Sequence, residues 1–154
     1  MKIRIATRVS PLALLQTHQV IDLIQALGSD YKCEVVPIQS EGDLNESPLH
    51  LIGGKGLFVS KLEAALVNQE ADIAVHSMKD VPYELPDEFE IGAILTRENP
   101  FDAFVSNHFN EINELPQSAR VGSCSLRRIV QLKVIRPDLE ILDLRGNVNT
   151  RLMK

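Results

Sequence analysis

IRIATRVSPLALLQTHQVIDLIQALG, residues 3–28, passes from an apolar run at Ile3 to Ala6 into Ser10-Pro11, an N-cap residue followed by proline at the first helical position. Proline has no N–H to lose there and its fixed φ suits the first turn, so a helix is expected from Pro11 to Leu27. Val20, Leu23, Ile24 and Leu27 fall at i, i+3, i+4 and i+7, one apolar face, and Gly28 is a natural terminator. Cys33 to Ile38 reads as a second strand. After Gly53-Gly54-Lys55-Gly56, a second helix carries Phe58, Leu62, Ala65 and Leu66 on one face, and Ile73-Ala74-Val75 is a short buried strand. Strands alternating with amphipathic helices predict the α/β class, built on a largely parallel sheet. Ligands of such sheets bind beyond the carboxyl ends of the strands, which singles out Thr7 to Ser10, Gln39 to Gly56 and His76 to Pro82.

Further along, Ile91 to Leu95 reads as another strand, and the polar Arg97-Glu98-Asn99-Pro100 as a crossing between a first domain over 1–98 and a second over 99–154. In the second, Phe104-Val105, Arg120 to Gly122 and Leu139 to Leu142 are predicted strands. Ser125 to Ile135 is a helix stopped near Pro137, and Leu144 to Asn147 opens another helix. A unit of about 55 residues is at the lower edge of what folds alone. The expectation is therefore a nearly complete first domain, a truncated second one, and a chain that is a fragment of a larger protein.

A chain of 154 residues with 44% hydrophobic and 24% charged residues is globular rather than disordered. No stretch approaches the ~18 apolar residues of a membrane helix, and Arg4 and Arg8 interrupt any secretory h-region, so a cytoplasmic location and no membrane partner are expected. Cys33 and Cys124 are too few for a disulfide framework and have no metal-ligand spacing; no metal is expected. The net charge of −5 conceals a split: residues 1–119 hold 8 Lys+Arg against 18 Asp+Glu, residues 120–154 hold 8 against 3. A basic final quarter on an acidic chain points to an anionic partner.

Three segments carry chemistry. In Val121-Gly122-Ser123-Cys124-Ser125-Leu126-Arg127-Arg128 a strand passes through hydroxyl residues into a helix, where backbone N–H groups, the helix dipole and two arginines would converge on one anion. The plainer reading is a capped helix with two solvated arginines. In Leu144-Arg145-Gly146-Asn147-Val148-Asn149-Thr150-Arg151, two more arginines follow a strand, and Arg8 follows the first one. Five arginines at strand ends and helix starts suit a ligand with several carboxylates or phosphates, which the planar guanidinium grips by paired hydrogen bonds. In Asp72-Ile73-Ala74-Val75-His76-Ser77-Met78-Lys79-Asp80-Val81-Pro82 a buried strand delivers His76, Ser77, Lys79 and Asp80 to the sheet edge. A carboxylate there would move a proton or stabilise a cation; the plainer reading is a solvated Lys79–Asp80 pair with His76 as a turn residue. Gly53 to Gly56 lacks the Ser or Thr of a nucleotide-binding P-loop and reads as a flexible loop.

These strings, with Arg4 to Arg8, Ser10 to Leu14, Gly53 to Phe58 and Leu144 to Leu152, resemble the porphobilinogen deaminase (hydroxymethylbilane synthase) family along essentially the whole chain. The resemblance implies a tetrapyrrole-pathway (heme biosynthesis) transferase that joins four porphobilinogen molecules with loss of ammonia on a covalent dipyrromethane primer. It also implies a two-lobed architecture like that of type II periplasmic binding proteins. Residue by residue, Asp80 matches the catalytic aspartate, and Ser77, Lys79, Ser123, Ser125, Arg127 and Arg128 the primer-binding set. Arg8, Ser10, Gln16, Arg145 and Arg151 match residues for the incoming ring or growing polypyrrole, with Lys55 nearby on a mobile loop. Such a polycarboxylate gives the arginines a physical reason.

Several positions depart from the family: Ser123 stands where Thr is frequent, Cys124 where serine is, Glu41 where a basic residue is, Leu51 where a loop lysine is, and Asn149 where glycine is. Neither cysteine matches the primer's attachment cysteine, which the family carries in a third domain. The expectation is that the primer is not bound and that the chain alone does not turn over. The family is usually monomeric, whereas apolar surface left by missing strands would favour self-association. A different class of function, a non-catalytic two-lobed carboxylate-binding module, stays open and is separated by the effect of substituting Asp80. Nucleic-acid binding is disfavoured by the absence of Trp and 5% aromatic content.

Overall fold

The computed structural model describes residues 1–39 and 60–154. Gly53 to Gly56 with Lys55, Phe58, and the departures at Glu41 and Leu51 lie outside the described residues. The chain divides into two compact units, Met1–Gly92 and Ala93–Lys154.

In the first unit β1 (Lys2–Arg8) is the centre of a parallel three-stranded sheet, between β2 (Lys32–Ile38) and β3 (Ile73–Ala74). Ile5 pairs with Val35 on one side and with Ile73 on the other. With β2 and β3 on its two edges β1 has no free edge, and Ile5, Ala6 and Thr7 are fully buried. Helix α1 (Pro11–Ala26) starts as expected: Ser10 is extended and its Oγ accepts from the Ala13 N–H at 3.3 Å, with proline in the first turn. Helix α2 (Ser60–Val67) buries Leu62 and Ala65 with Ala6 and Ala71, and Ile38, Leu66 and Ala74 pack around them.

The inward face of α1 differs from the expected one. Thr17 is its fully buried residue, sharing a 2.7 Å hydrogen bond with the buried Thr7 of β1 and lying 2.9 Å from the Ala13 carbonyl. At 100° per residue Val20 and Ile24 follow Thr17 inward, whereas Leu23 and Leu27 are turned roughly 80–120° away. They are 54% and 78% exposed. A polar pair therefore sets the rotation of the helix, and the apolar stripe alone misjudges it.

The second unit holds a two-stranded parallel sheet, β4 (Arg120–Gly122) beside β5 (Glu140–Leu142), with α3 (Leu126–Ile135) between them in sequence and α4 (Val148–Leu152) after. Leu139 is its one fully buried hydrophobic among the described residues, so polar clamps take a larger share. The Arg136 guanidinium donates to the carbonyls of Ile112, Leu115 and Pro116 at 3.0–3.2 Å and pairs with Asp138, whose carboxyl it holds far below the usual range. The strands expected at Ile91 to Leu95 and Phe104-Val105 are not formed. Both segments are irregular and mostly exposed, because apolar content makes a strand only where another backbone edge accepts its hydrogen bonds, and none does among the described residues.

The β1–β3 register sets Arg4 beside Asp72: the Arg4 backbone N–H donates to Oδ2 at 2.7 Å, its Nη2 lies 2.7 Å from Oδ1, and its Nη1 donates to the Gln69 carbonyl. The Arg4 side-chain hydrogen bonds, then its backbone one, lower the Asp72 pKa to about 2. A carboxyl depressed on folding stabilises above its unfolded value of about 3.9 and loses that contribution as pH falls through the folded value. The denaturation midpoint of the native chain should therefore exceed that of Asp72→Asn at pH 5 to 7, with the gap closing between about pH 4 and about pH 2. A Cβ on Gly122 would lie 2.8 Å from Leu144 Cδ2 and 3.0 Å from its Cβ. Gly122→Ala should destabilise the second unit by about 1–3 kcal/mol, read by chemical denaturation.

Candidate functional site

In the first unit the expected residues gather at the carboxyl ends of β1 and β3. Val75 donates to the Ala6 carbonyl at 3.0 Å, carrying the parallel pairing one step past β3, and the chain then turns through a single 3-10 turn at Met78–Asp80. That turn points Asp80 back across the sheet end to Arg8, the last residue of β1, with Nη1 3.4 Å from Oδ2 and side chains only 19% and 21% exposed. The plainer reading of a solvated Lys79–Asp80 pair is thereby overturned: the partner of Asp80 lies 72 residues earlier, and Lys79 is exposed. Ser77 donates from Oγ to Gln16 Oε1 of α1 at 2.7 Å, which joins two more of the expected residues. Ser10 stands at the start of the same helix with its hydroxyl engaged as the cap.

His76, in the same segment, is half-buried. Burial pushes its pKa below the usual histidine value; Asp80 pulls it up and Arg8 adds to the lowering. The lowering favours the neutral ring, which offers one donor and one acceptor.

In the second unit the parallel pairing of Gly122 with Leu142 sets the segments after β4 and β5 at one sheet edge. Ser123 Oγ accepts from the Ser125 N–H at 3.3 Å, and Ser125 is the N-cap residue of α3 without using its side chain as a cap. Both arginines are exposed, as the plainer reading has it, but they are not unpaired. Arg127 Nη2 lies 2.9 and 2.8 Å from the two carboxylate oxygens of Asp102, Arg128 reaches Oδ1 with Nε at 2.9 Å and Nη2 at 2.8 Å, and Arg127 Nη1 donates to Gln131 at 3.2 Å. The Arg128 and then Arg127 hydrogen bonds lower the Asp102 pKa. Arg145 and Arg151 flank the start of α4, where Asn147 Oδ1 accepts from the Thr150 N–H at 2.9 Å, Arg151 Nε donates to the Gly146 carbonyl at 2.7 Å and Lys154 Nζ to the Arg145 carbonyl at 3.3 Å. Gly146, at φ 116°, occupies a region L side chains rarely enter.

Asp102 was not singled out in the sequence. Asn99-Pro100 ahead of it signals a turn, but nothing local links a carboxylate to guanidiniums 25 and 26 residues on. Among the described residues no cluster of three His, Cys, Asp or Glu has metal-ligand geometry, and no helix is long and apolar enough to cross a membrane.

A family model described as "Porphobilinogen deaminase, dipyromethane cofactor binding domain" matches residues 3–154. The chain belongs to this family. It is 60% identical over 153 residues to the porphobilinogen deaminases of Vesicomyosocius okutanii subsp. Calyptogena okutanii (strain HA) and of Ruthia magnifica subsp. Calyptogena magnifica, and 56% identical to that of Dichelobacter nodosus (strain VCS1703A). Each match covers 99% of this chain and 50% of the relative, so the chain spans about half the length of the curated relatives it matches. The mixed α/β architecture with parallel strands fits membership.

The groups around His76 yield a third prediction. Its NMR titration midpoint should lie below about 6.5, fall further in Asp80→Asn and rise in Arg8→Gln; a midpoint at or above the ordinary value would contradict the arrangement described.

Proposed function

We propose that the chain forms the cofactor-binding portion of a tetrapyrrole-pathway (heme biosynthesis) transferase, which condenses four porphobilinogen molecules into hydroxymethylbilane, and that Asp80 is its catalytic carboxylate. The observation that carries this reading is the half-buried Arg8–Asp80 pair at the ends of β1 and β3, in a chain matched to the family from residue 3 to residue 154. Loss of ammonia from porphobilinogen leaves a cationic methylene-pyrrole. A carboxylate in a sheltered site accepts pyrrole N–H hydrogen bonds, lowers the energy of that cation and relays protons. Arg8 orients the Asp80 carboxylate, and the Gln16–Ser77 hydrogen bond holds the Ser77 side chain toward the same strand ends.

The donor set suits a dipyrromethane with its acetate and propionate groups. Arg127 and Arg128 hold the Asp102 carboxylate with four short contacts, the geometry a ligand carboxylate would need, and Ser125 leaves its hydroxyl unused by the helix cap. Ser77, Lys79, Ser123, Ser125, Arg127 and Arg128 would hold such a primer, while Arg8, Ser10, Gln16, Arg145 and Arg151, with Lys55, would receive the incoming ring or growing chain. When bound, the primer supplies the pyrrole end to which each new ring is joined. The same reading assigns the units to the lobes of a type II periplasmic-binding-protein-like architecture, with the first domain ending near Glu98. It takes the cytoplasm as its compartment, where the free Cys33 and Cys124 stay reduced.

The test is ammonia release from porphobilinogen by the enzyme carrying this sequence. Asp80→Asn should lower it by at least about 100-fold, the scale of a positioned acid–base group. An unchanged rate would remove Asp80 from the chemistry, whereas no ammonia release by the unsubstituted enzyme would favour a carboxylate-binding module that catalyses nothing.

A further inference from the structure

Arg127 and Arg128 stand side by side at the first turn of α3, and two adjacent guanidiniums repel one another unless an anion lies between them. Here the anion is supplied from within the chain. Asp102 receives Arg127 on both carboxylate oxygens and Arg128 on Oδ1, the bridging geometry by which a bound carboxylate would be held. We infer that Asp102 is an internal carboxylate that keeps the Arg127–Arg128 pair assembled and is exchanged for a carboxylate of the ligand when one binds. The inference rests on the proposed role of those two arginines in binding carboxylates and goes beyond it, since Asp102 becomes a positioning residue that sets how tightly they bind.

Three features make the exchange feasible. The ion pairs are exposed, with 39% of the Asp102 side chain and about half of each arginine side chain open to solvent, and exposed pairs contribute little net free energy. Asp102 lies on a segment without helix or strand, and its neighbours are held by short polar turns: the Phe101 N–H donates to Asn99 Oδ1 at 2.9 Å, and the N–H groups of His108 and Phe109 donate to Ser106 Oγ at 3.2 and 3.1 Å. Such a segment opens at small cost because it buries few apolar groups. Finally, the cluster of two cations and one carboxylate keeps a net positive charge, so an anion is still attracted while Asp102 is in place.

The experiment titrates glutarate, a simple dicarboxylate, into the 154-residue chain, with chloride at matched ionic strength as control. Binding is followed by the Arg Nε–H NMR signals and by amide hydrogen exchange over residues 99–110. Glutarate should shift the Arg127 and Arg128 signals and speed exchange in that segment. Asp102→Asn and Asp102→Ala should each bind glutarate about two- to fivefold tighter, the range set by an exposed ion pair, and show no further change in that exchange on binding. Equal or weaker binding by both variants would overturn the inference and leave Asp102 a structural tether. If Arg127→Gln with Arg128→Gln, made in the Asp102→Asn chain, binds glutarate as well as Asp102→Asn alone, the arginines are not the carboxylate site. The underlying reading then fails, and the inference with it.

Discussion

The parallel pairing of β1 with β3 is the constraint on which the first unit turns. Only two residue pairs define it, Ile5 with Ile73 and Ala6 with Ala74, yet the ladder runs on through Asp72 to Arg4 and Val75 to Ala6. Because the strands run the same way, residues before the pairing meet on one side of the sheet and residues after it on the other. Arg4 with Asp72 closes the amino end, and Arg8 with Asp80 forms at the carboxyl end. The first pair is exposed, bonded at several points and structural. The second is longer, at 3.4 Å, and more buried. The same strand that carries the core thus presents the groups of the candidate site, as strand ends of parallel sheets commonly do.

Cohesion is achieved differently in the two units. In the first, Leu62, Ala65, Ala71 and Ala6 make an apolar core, and the buried Thr7–Thr17 hydrogen bond fixes the rotation of α1 over the sheet. An unpaired buried hydroxyl is costly, so each threonine specifies the position of the other. The second unit has little buried apolar surface among the described residues and leans on guanidiniums. Arg136 collects three carbonyls and Asp138, while Arg127 and Arg128 share Asp102. Arginine therefore acts in two ways in this unit, as scaffold where its donors are saturated by backbone carbonyls and in an exposed ion pair where they meet a side-chain carboxylate.

Legibility in the sequence followed the range of the interaction. Ser10-Pro11 opened α1, Asn147 capped α4, and the Leu62–Ala65–Leu66 spacing marked the buried face of α2, since each depends on neighbours within a turn or two. Ile91 to Leu95 and Phe104-Val105 misled because a strand is a property of two segments, and apolar composition reports on only one. Leu23 and Leu27 misled for a related reason: periodicity gives a face, but a hydrogen bond from another element decides which way it turns.

The α/β class and the family are legible without coordinates, because strand–helix alternation and the string from Asp72 to Pro82 are local. Which side chains meet is a matter of the fold alone. Asp80 meets Arg8 across 72 residues rather than its neighbour Lys79, and Arg127 and Arg128, though exposed, share Asp102. The reason is physical: a charge pairs with whatever the fold brings within a few ångströms, and parallel strands joined by helical crossovers bring together residues that sequence distance conceals.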